Sequence, residues 1–258
     1  MISEHIYTEI LTRIKNAEKE HNVKVLYAIE SGSRAWGFAS PNSDYDVRFI
    51  YVRPKEWYLT IDVEDKRDVI ECPIVDEIDI NGWDLRKALK LLWRSNPAII
   101  EWLQSPIVYV DDGIFAQSAR KLIPDVYSLE KGIYHYRSMA KTNYRGYLKE
   151  EIVPIKKYFY VLRPLLSIMW LEQYKQPAPI EFHRLRELIQ HNEVINNEIS
   201  LLLERKKVSQ EKEIAPAIKA LNEFIEIALE KLETINIDQQ EPERNIDGLN
   251  ELFWRILV

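Results

Sequence analysis

The chain has 258 residues, of which 46% are hydrophobic and 29% charged, and its formal net charge at pH 7 is −6. This composition excludes an intrinsically disordered chain, and the acidic balance argues against a protein that coats nucleic acid through a basic surface. The single cysteine, Cys72, excludes an intramolecular disulfide and a cysteine-rich zinc site. The N-terminus does not resemble a signal peptide and no segment has about 18 uninterrupted apolar residues, so we expect a cytoplasmic protein without a membrane-spanning helix.

The first part of the chain predicts a helix followed by strands. Isoleucines recur near a 3.6-residue period at the start of the chain, which indicates an amphipathic helix. Short β-rich runs bounded by turn residues follow, and Asp84 is a good N-cap for the next helix. The predicted elements are a helix over residues 3–20, strands over 23–30, 46–52 and 72–80, and a helix from Asp84 to the Asn96–Pro97 break.

The second part of the chain is predicted to be helical. Strand signals fade from about Asp111, next to a turn-forming Asp-Asp-Gly sequence. We therefore predict an α+β protein, with an N-terminal α/β domain containing a small mixed sheet over residues 1–110 and an all-helical C-terminal domain over residues 111–258. Helices are predicted over residues 111–122, 128–150, 154–175, 180–190, 193–206 and 211–233, followed by a polar loop over 235–248 and an apolar segment over 249–258.

The loop between the first two predicted strands carries the strongest functional signal. Gly32-Ser33 follows the first strand, and Asp44 and Asp46 begin the second. Side chains at i and i+2 on a strand share a face, and two adjacent carboxylates repel each other unless a cation lies between them. Magnesium favours carboxylate oxygens and substrate phosphates, and a Gly-Ser turn offers phosphate a backbone amide and a hydroxyl. The pattern predicts a magnesium and phosphate site.

This linked set resembles the DNA polymerase beta-type nucleotidyltransferase superfamily, in which a Gly-Ser turn precedes an Asp-x-Asp pair by about ten residues. The stretch GSRAWGFASPNSDYDVRFIYV, with DINGWDLRKAL and KKYFYVLRPLL further along, resembles the group of predicted nucleotidyltransferases that includes RlaP-type proteins linked to RNA repair. The resemblance covers roughly residues 25–185. It implies that Asp44 and Asp46 hold two Mg²⁺ ions, with Mn²⁺ as a substitute, which bridge the phosphates of a nucleoside triphosphate such as ATP.

The superfamily also carries a third carboxylate on a neighbouring strand, flanked by apolar residues. Asp79, between Ile78 and Ile80, matches this pattern best, and Asp76 and Glu77 compete with it. Asp79 and Glu77 would share one strand face and Asp76 the other, so a register error of one residue would change the assignment. The resemblance implies that the third carboxylate, which we assign to Asp79, binds metal and helps to deprotonate the acceptor hydroxyl.

Cationic and aromatic residues are candidates for binding the nucleotide. Arg34 is either a phosphate ligand or a surface residue, and Lys141 lies in a basic helical stripe whose usual interpretation is a solvated face. Lys156 and Tyr160 align on another helix and suit a triphosphate and a base, and Lys157 replaces Lys156 if the helix register differs by one. The predicted nucleotide-binding residues are Gly32, Ser33, Arg34, Lys141, Lys156, Lys157 and Tyr160.

The sequence leaves two classes of function open. The first is an enzyme that transfers a nucleoside monophosphate to an acceptor hydroxyl and releases pyrophosphate. An RNA end is favoured slightly as acceptor, and a protein or a small molecule is the alternative. The second class is a non-catalytic, antitoxin-like protein that senses nucleotides or binds a partner. An incomplete carboxylate set would indicate the second class, and this set is complete. The sequence does not predict the oligomeric state.

Overall fold

The computed structural model describes residues 2–208, 213–233 and 244–258. These residues form two compact units: unit 1 contains residues 2–35, 44–127 and 244–258, and unit 2 contains residues 36–43, 128–208 and 213–233. The helices, in chain order, are α1 Glu4–His21, α2 Gly32–Ala35, α3 Lys55–Tyr58, α4 Leu85–Trp93, α5 Pro97–Gln104, α6 Phe115–Val126, α7 Leu129–Tyr147, α8 Lys157–Tyr174, α9 Phe182–Arg186, α10 Glu193–Val208, α11 Lys219–Glu233 and α12 Asp247–Leu257. None of the described helices is long and apolar enough to cross a lipid bilayer.

Unit 1 is built around a five-stranded mixed sheet with the order β3-β4-β2-β1-β5. Its strands are β1 Lys24–Glu30, β2 Tyr45–Val52, β3 Val69–Glu71, β4 Ile78–Asp84 and β5 Val108–Asp111. Strands β2 and β4 are parallel, and the other neighbours are antiparallel. The parallel register places Asp46 opposite Asp79.

Apolar residues on both faces of this sheet are covered by helices. Ile10 and Ile14 of α1 pack with Val47 and Phe49 on one face. On the other face, Ile50 belongs to a cluster that includes residues of α4, α5, α6 and α12. Because side chains alternate along a strand, Asp46 and Arg48 continue the row that contains Ile50. The polar end of this row is where the candidate site lies.

Two of the predicted helix starts are confirmed by their caps. The Ser3 hydroxyl accepts a hydrogen bond from the Ile6 amide, and α1 begins at the next residue after Ser3. The Asp84 carboxylate accepts from the Arg86 amide, and its other oxygen accepts from the Tyr58 hydroxyl. Both residues therefore satisfy backbone N–H groups that have no partner within the helix.

The prediction of a strand over residues 72–80 was wrong in its boundaries. Strand β4 begins at Ile78, and Asp76 and Glu77 have φ values of 53° and 61°, which belong to a tight turn rather than to a strand. Strand β3, which ends at Glu71, and strand β5 were not predicted. Both strands are short, and their pairing with longer neighbours determines them more than their own sequences do.

Unit 2 is mainly helical and contains one small sheet. Helices α7 and α8 pack against each other, and strands β6 Ile152–Pro154 and β7 Ile214–Pro216 form an antiparallel pair. The predicted helix over 211–233 therefore starts only at Lys219, and residues 209–212 lie outside the described residues. Phe38, an aromatic residue of the loop before β2, stacks on Phe159 at 4.6 Å between ring centroids.

The α+β class is confirmed, with an N-terminal mixed sheet and a largely helical C-terminal part. The division between domains 1–110 and 111–258 stays a prediction, and the two compact units divide the chain differently. Helices α6 and α12 belong to unit 1, because their apolar faces join the same core as α4. The polar loop predicted over 235–248 lies largely outside the described residues, and its last two residues already belong to α12.

Helix α12 buries only some of its large apolar side chains. Leu252 is buried, and Phe253 packs against the ring of Tyr58. Trp254, by contrast, is 62% exposed. Adjacent residues on a helix point in directions about 100° apart, so this short amphipathic helix cannot bury all three side chains.

Candidate active site

The Gly-Ser turn lies directly against the Asp-x-Asp strand in unit 1. Strand β1 ends at Glu30, and the amide of Ser31 donates a 2.8 Å hydrogen bond to the carbonyl oxygen of Asp46. Gly32 has a φ of +59°, and a Cβ atom built on it would overlap the Asp46 carboxylate. Only glycine fits both the backbone conformation and this close approach.

The carboxylates of Asp46 and Asp79 lie next to each other on adjacent strands. The Nη2 atom of Arg48 is 3.2 Å from Oδ1 of Asp46 and 2.7 Å from Oδ2 of Asp79. Of the three candidates for the third carboxylate, Asp79 is the one opposite Asp46 in the sheet. Asp76 and Glu77 lie in the turn before β4, and the Asp76 carboxylate pairs with Arg13.

Asp44 is partly exposed and directly precedes β2. Its carbonyl oxygen accepts a 3.3 Å hydrogen bond from Nε of Arg34, and the guanidinium of Arg34 lies 3.9 Å from the centre of the Tyr45 ring. Arg34 is therefore held beside the Asp-x-Asp pair, within the same unit. This position agrees with the phosphate-binding alternative for Arg34, which stays a prediction.

Arg48 was not identified as a site residue from the sequence. Its Nη1 atom donates to the carbonyl oxygens of Val47 and Asp79, each at 2.9 Å, in addition to the contacts of Nη2 with two carboxylates. The signal in the sequence was its position two residues after Asp46, which puts both side chains on one strand face. A cationic side chain thus lies among the carboxylates.

Glu30 is a second site residue that was missed. It is buried, its Oε2 accepts a 2.6 Å hydrogen bond from the hydroxyl of Tyr109, and its Oε1 accepts from the amide of Asp46 at 3.1 Å. Burial raises the pKa of Glu30 to about 7, although both hydrogen bonds act in the opposite direction. A charged residue at the end of the apolar strand KVLYAIE was the available signal.

The donor chemistry of this site fits magnesium. Asp44, Asp46 and Asp79 offer hard carboxylate oxygens, which Mg²⁺ prefers, and the site contains no soft ligand. Across the part of the chain that the structure describes, no group of three or more His, Cys, Asp or Glu side chains is arranged to hold a metal ion. The guanidinium of Arg48 contacts two of these carboxylates, Asp46 and Asp79.

The remaining nucleotide-binding candidates lie in unit 2. Nζ of Lys157 is 3.9 Å from the ring centre of Tyr147 and 4.8 Å from that of Tyr160, so Lys157 and Tyr160 are brought together. Lys156 immediately precedes α8, and Lys141 makes a 2.7 Å ion pair with Glu233. The pairing of Lys141 agrees with the solvated-face interpretation of its stripe, since exposed pairs of this kind are common on helix surfaces.

Comparison with known proteins relates this fold and site to a family. A family model described as RlaP, RNA repair pathway DNA polymerase beta family, matches residues 6–255. The uncharacterized protein YcgL of Bacillus subtilis (strain 168) is 46% identical over 223 residues, which cover 86% of this chain and 85% of YcgL. A crystal structure of a nucleotidyltransferase-like protein from Exiguobacterium sibiricum 255-15 has 11% identity and a TM-score of 0.33, covering 96% of this chain and 79% of that one. This chain belongs to the RlaP family, the RNA repair pathway DNA polymerase beta family.

Proposed function

We propose that this chain is a magnesium-dependent nucleotidyltransferase that moves a nucleoside monophosphate from a nucleoside triphosphate to an acceptor hydroxyl. The observation that carries the proposal is the register of β2 and β4, which pairs Asp46 with Asp79 beside Gly32. Membership of a polymerase beta family linked to RNA repair supports the same reaction and favours an RNA end as acceptor.

In this proposal the carboxylates bind the metal ions, and one of them accepts the proton of the acceptor hydroxyl. Asp44, Asp46 and Asp79 hold two Mg²⁺ ions, which supply positive charge to the phosphates when they are bound. Asp79 accepts the proton of the acceptor hydroxyl, and the freed oxygen forms a bond to the α-phosphorus. The bond from that phosphorus to the β-phosphate oxygen breaks, and pyrophosphate leaves with the electron pair.

The other residues position the substrate. The Gly32-Ser33 turn binds the outer phosphates through a backbone amide and the serine hydroxyl, and Arg34 adds positive charge near the same end of β2. The candidates of unit 2, Lys141, Lys156, Lys157 and Tyr160, remain proposed nucleotide-binding residues, and the ring of Tyr160 contacts that of Trp36.

Calorimetric titration of the protein with each ribonucleoside triphosphate, in MgCl₂ and in MnCl₂, tests the nucleotide site. We expect wild-type protein to bind at least one triphosphate in a metal-dependent way, and the Asp44→Ala, Asp46→Ala double variant to lose this binding. Binding that is independent of metal and of both aspartates would remove the metal site from the proposal. Absence of binding to wild type would favour the non-catalytic partner-binding protein.

The acceptor is tested separately with RNA. We expect binding of RNA to weaken as the salt concentration rises and on Lys141→Gln or Lys156→Gln, because phosphate contacts release counterions. A matched Arg205→Gln variant, which removes an exposed cation paired with Glu213, serves as control. RNA binding that is absent or insensitive to salt would move the acceptor to the protein or small-molecule class.

A further inference from the structure

The strongest unassigned feature of the site is the guanidinium of Arg48. This group donates to two backbone carbonyl oxygens and to the carboxylates of Asp46 and Asp79. The carbonyl contacts fix its plane against both β2 and β4, and the guanidinium carries a positive charge. A permanent positive charge is therefore held between two proposed metal ligands.

The two carboxylates are also fixed by other neighbours. Oδ1 of Asp79 accepts a 2.6 Å hydrogen bond from Nδ2 of Asn81, while Oδ2 faces Arg48. One oxygen of Asp46 contacts Arg48 and the other lies against Gly32. Each carboxylate is thus oriented without a metal ion, although two like charges on adjacent strands would otherwise repel each other.

A free divalent cation that approaches this site meets the positive charge of Arg48. The repulsion is substantial because the side chain of Arg48 is only 18% exposed, and partly buried charges are poorly screened by salt. A metal–triphosphate complex is different, since its phosphate oxygens bring negative charge that can balance both the metal and the guanidinium. The guanidinium therefore weakens the attraction of the carboxylates for a free ion, and the phosphate oxygens of the complex offer Arg48 a partner in place of the carboxylates.

We propose that Arg48 is a positioning residue that acts as a resident counter-ion, an assignment that rests on the proposed function. Without nucleotide, Arg48 holds Asp46 and Asp79 in place and keeps the affinity for free Mg²⁺ low. The metal then binds together with the triphosphate rather than before it. When the metal binds, Arg48 loses its contacts with the carboxylate oxygens, and the negative charge of the triphosphate balances its guanidinium instead.

The test is calorimetric titration of MgCl₂ alone into wild-type protein and into Arg48 variants. Arg48→Gln keeps hydrogen-bond donors but removes the charge, and we expect it to bind free Mg²⁺ about tenfold more tightly than wild type does. Arg48→Lys keeps the charge and should remain as weak as wild type. Arg53→Gln is the matched control, because Arg53 follows the same strand and donates to the carbonyl oxygen of His21, away from these carboxylates.

The recovery of thermal stability in MgCl₂ gives a second readout, which loss of a purely structural arginine would not produce. In EDTA we expect Arg48→Gln to melt below wild type and to recover part of the difference in MgCl₂, because Mg²⁺ replaces the missing charge. Arg53→Gln should show no recovery. If Arg48→Gln is poorly folded in EDTA, the Mg²⁺ affinity of Arg48→Lys and the recovery of Arg48→Gln in MgCl₂ still test the counter-ion role.

Each outcome separates this inference from the proposed function. Equal Mg²⁺ affinity in wild type, Arg48→Gln and Arg48→Lys, or no recovery in MgCl₂, would overturn the counter-ion role, even if wild type binds triphosphates. Conversely, tighter Mg²⁺ binding by Arg48→Gln with no triphosphate binding by wild type would keep the counter-ion role. That result would remove the transferase proposal and the joint binding of metal and nucleotide.

Discussion

The charged groups around the Asp-x-Asp strand of unit 1 are held differently from the surface ion pairs of unit 2. In unit 1, the buried Glu30 and the mostly buried Arg48 each make several hydrogen bonds to groups of the Asp-x-Asp strand and its neighbours. In unit 2, pairs such as Lys141–Glu233 and Arg205–Glu213 lie at the surface and join single side chains. Exposed pairs of this kind contribute about 0–1 kcal/mol, whereas a buried network fixes positions. We therefore expect the site of unit 1 to be far less tolerant of change than these surface pairs.

The largest effect is expected from Gly32→Ala. The added methyl group would overlap the Asp46 carboxylate, and alanine is disfavoured at a φ of +59°. We expect a loss of about 2–4 kcal/mol in the free energy of unfolding, measured in urea, together with loss of triphosphate binding.

The matched control for Gly32 is a glycine of unit 2. Gly37 also has a positive φ, +87°, but a Cβ atom there would meet no other atom within 4 Å. Gly37→Ala should cost only about 1–2 kcal/mol, from the backbone conformation, and should leave triphosphate binding intact. Equal costs for the two variants would show that the approach of Gly32 to Asp46 does not matter.

The raised pKa of Glu30 predicts that the stability of the protein depends on pH. Because its pKa is raised to about 7 in the folded protein, the folded state holds a proton that the unfolded state releases near the ordinary pKa of 4.5. Stability should therefore fall as the pH rises from about 4.5 to about 7, by an amount on the order of 3 kcal/mol.

Urea denaturation in EDTA at several pH values measures this slope. Glu30→Gln cannot ionise and can still accept from the amide of Asp46, so the variant should lose the contribution of Glu30 to the slope. A slope in Glu30→Gln that equals that of wild type would assign the pH dependence to other groups.

A smaller effect is expected from the lysine between two aromatic rings in unit 2. Lys157→Gln removes the positive charge beside Tyr147 and Tyr160, and we expect triphosphate affinity to fall about tenfold, as for loss of one charge-assisted contact. Stability should change by less than about 1 kcal/mol. Unchanged affinity in calorimetry would exclude Lys157 from the nucleotide site.

The smallest effect is expected from the exposed pair. Lys141→Gln breaks the contact with Glu233 and should change the free energy of unfolding by no more than about 0.5 kcal/mol. If Lys141→Gln lost as much free energy of unfolding in urea as Gly32→Ala does, the contrast between the site of unit 1 and the surface pairs of unit 2 would be contradicted.

The predictable part of the site was the part that is continuous in sequence. Gly32, Asp44 and Asp46 could be found because their spacing along the chain reflects a turn between two strands. Asp79 was preferred to Asp76 and Glu77 for its apolar neighbours, but its position opposite Asp46 follows from the pairing of β2 with β4, which no local pattern specifies.

The missed residues depend on contacts between distant segments. The burial of Glu30 depends on Tyr109, which lies 79 residues further along the chain, and the role of Arg48 depends on Asp79. For the same reason β3 and β5 were missed while the long periodic helices were found. Helices are stabilised by local contacts and show their period directly, whereas short strands are defined by their neighbours.

Transfer of label from nucleoside triphosphates tests the proposed reaction itself. Protein is incubated with MgCl₂, RNA and each ribonucleoside triphosphate labelled at either the α- or the γ-phosphate, with Asp46→Asn as the control. We expect the α-label to appear in the RNA and the γ-label to be released as pyrophosphate, and Asp46→Asn to do neither. Transfer of the γ-label to RNA, or equal transfer by Asp46→Asn, would contradict the proposed nucleotidyltransferase reaction.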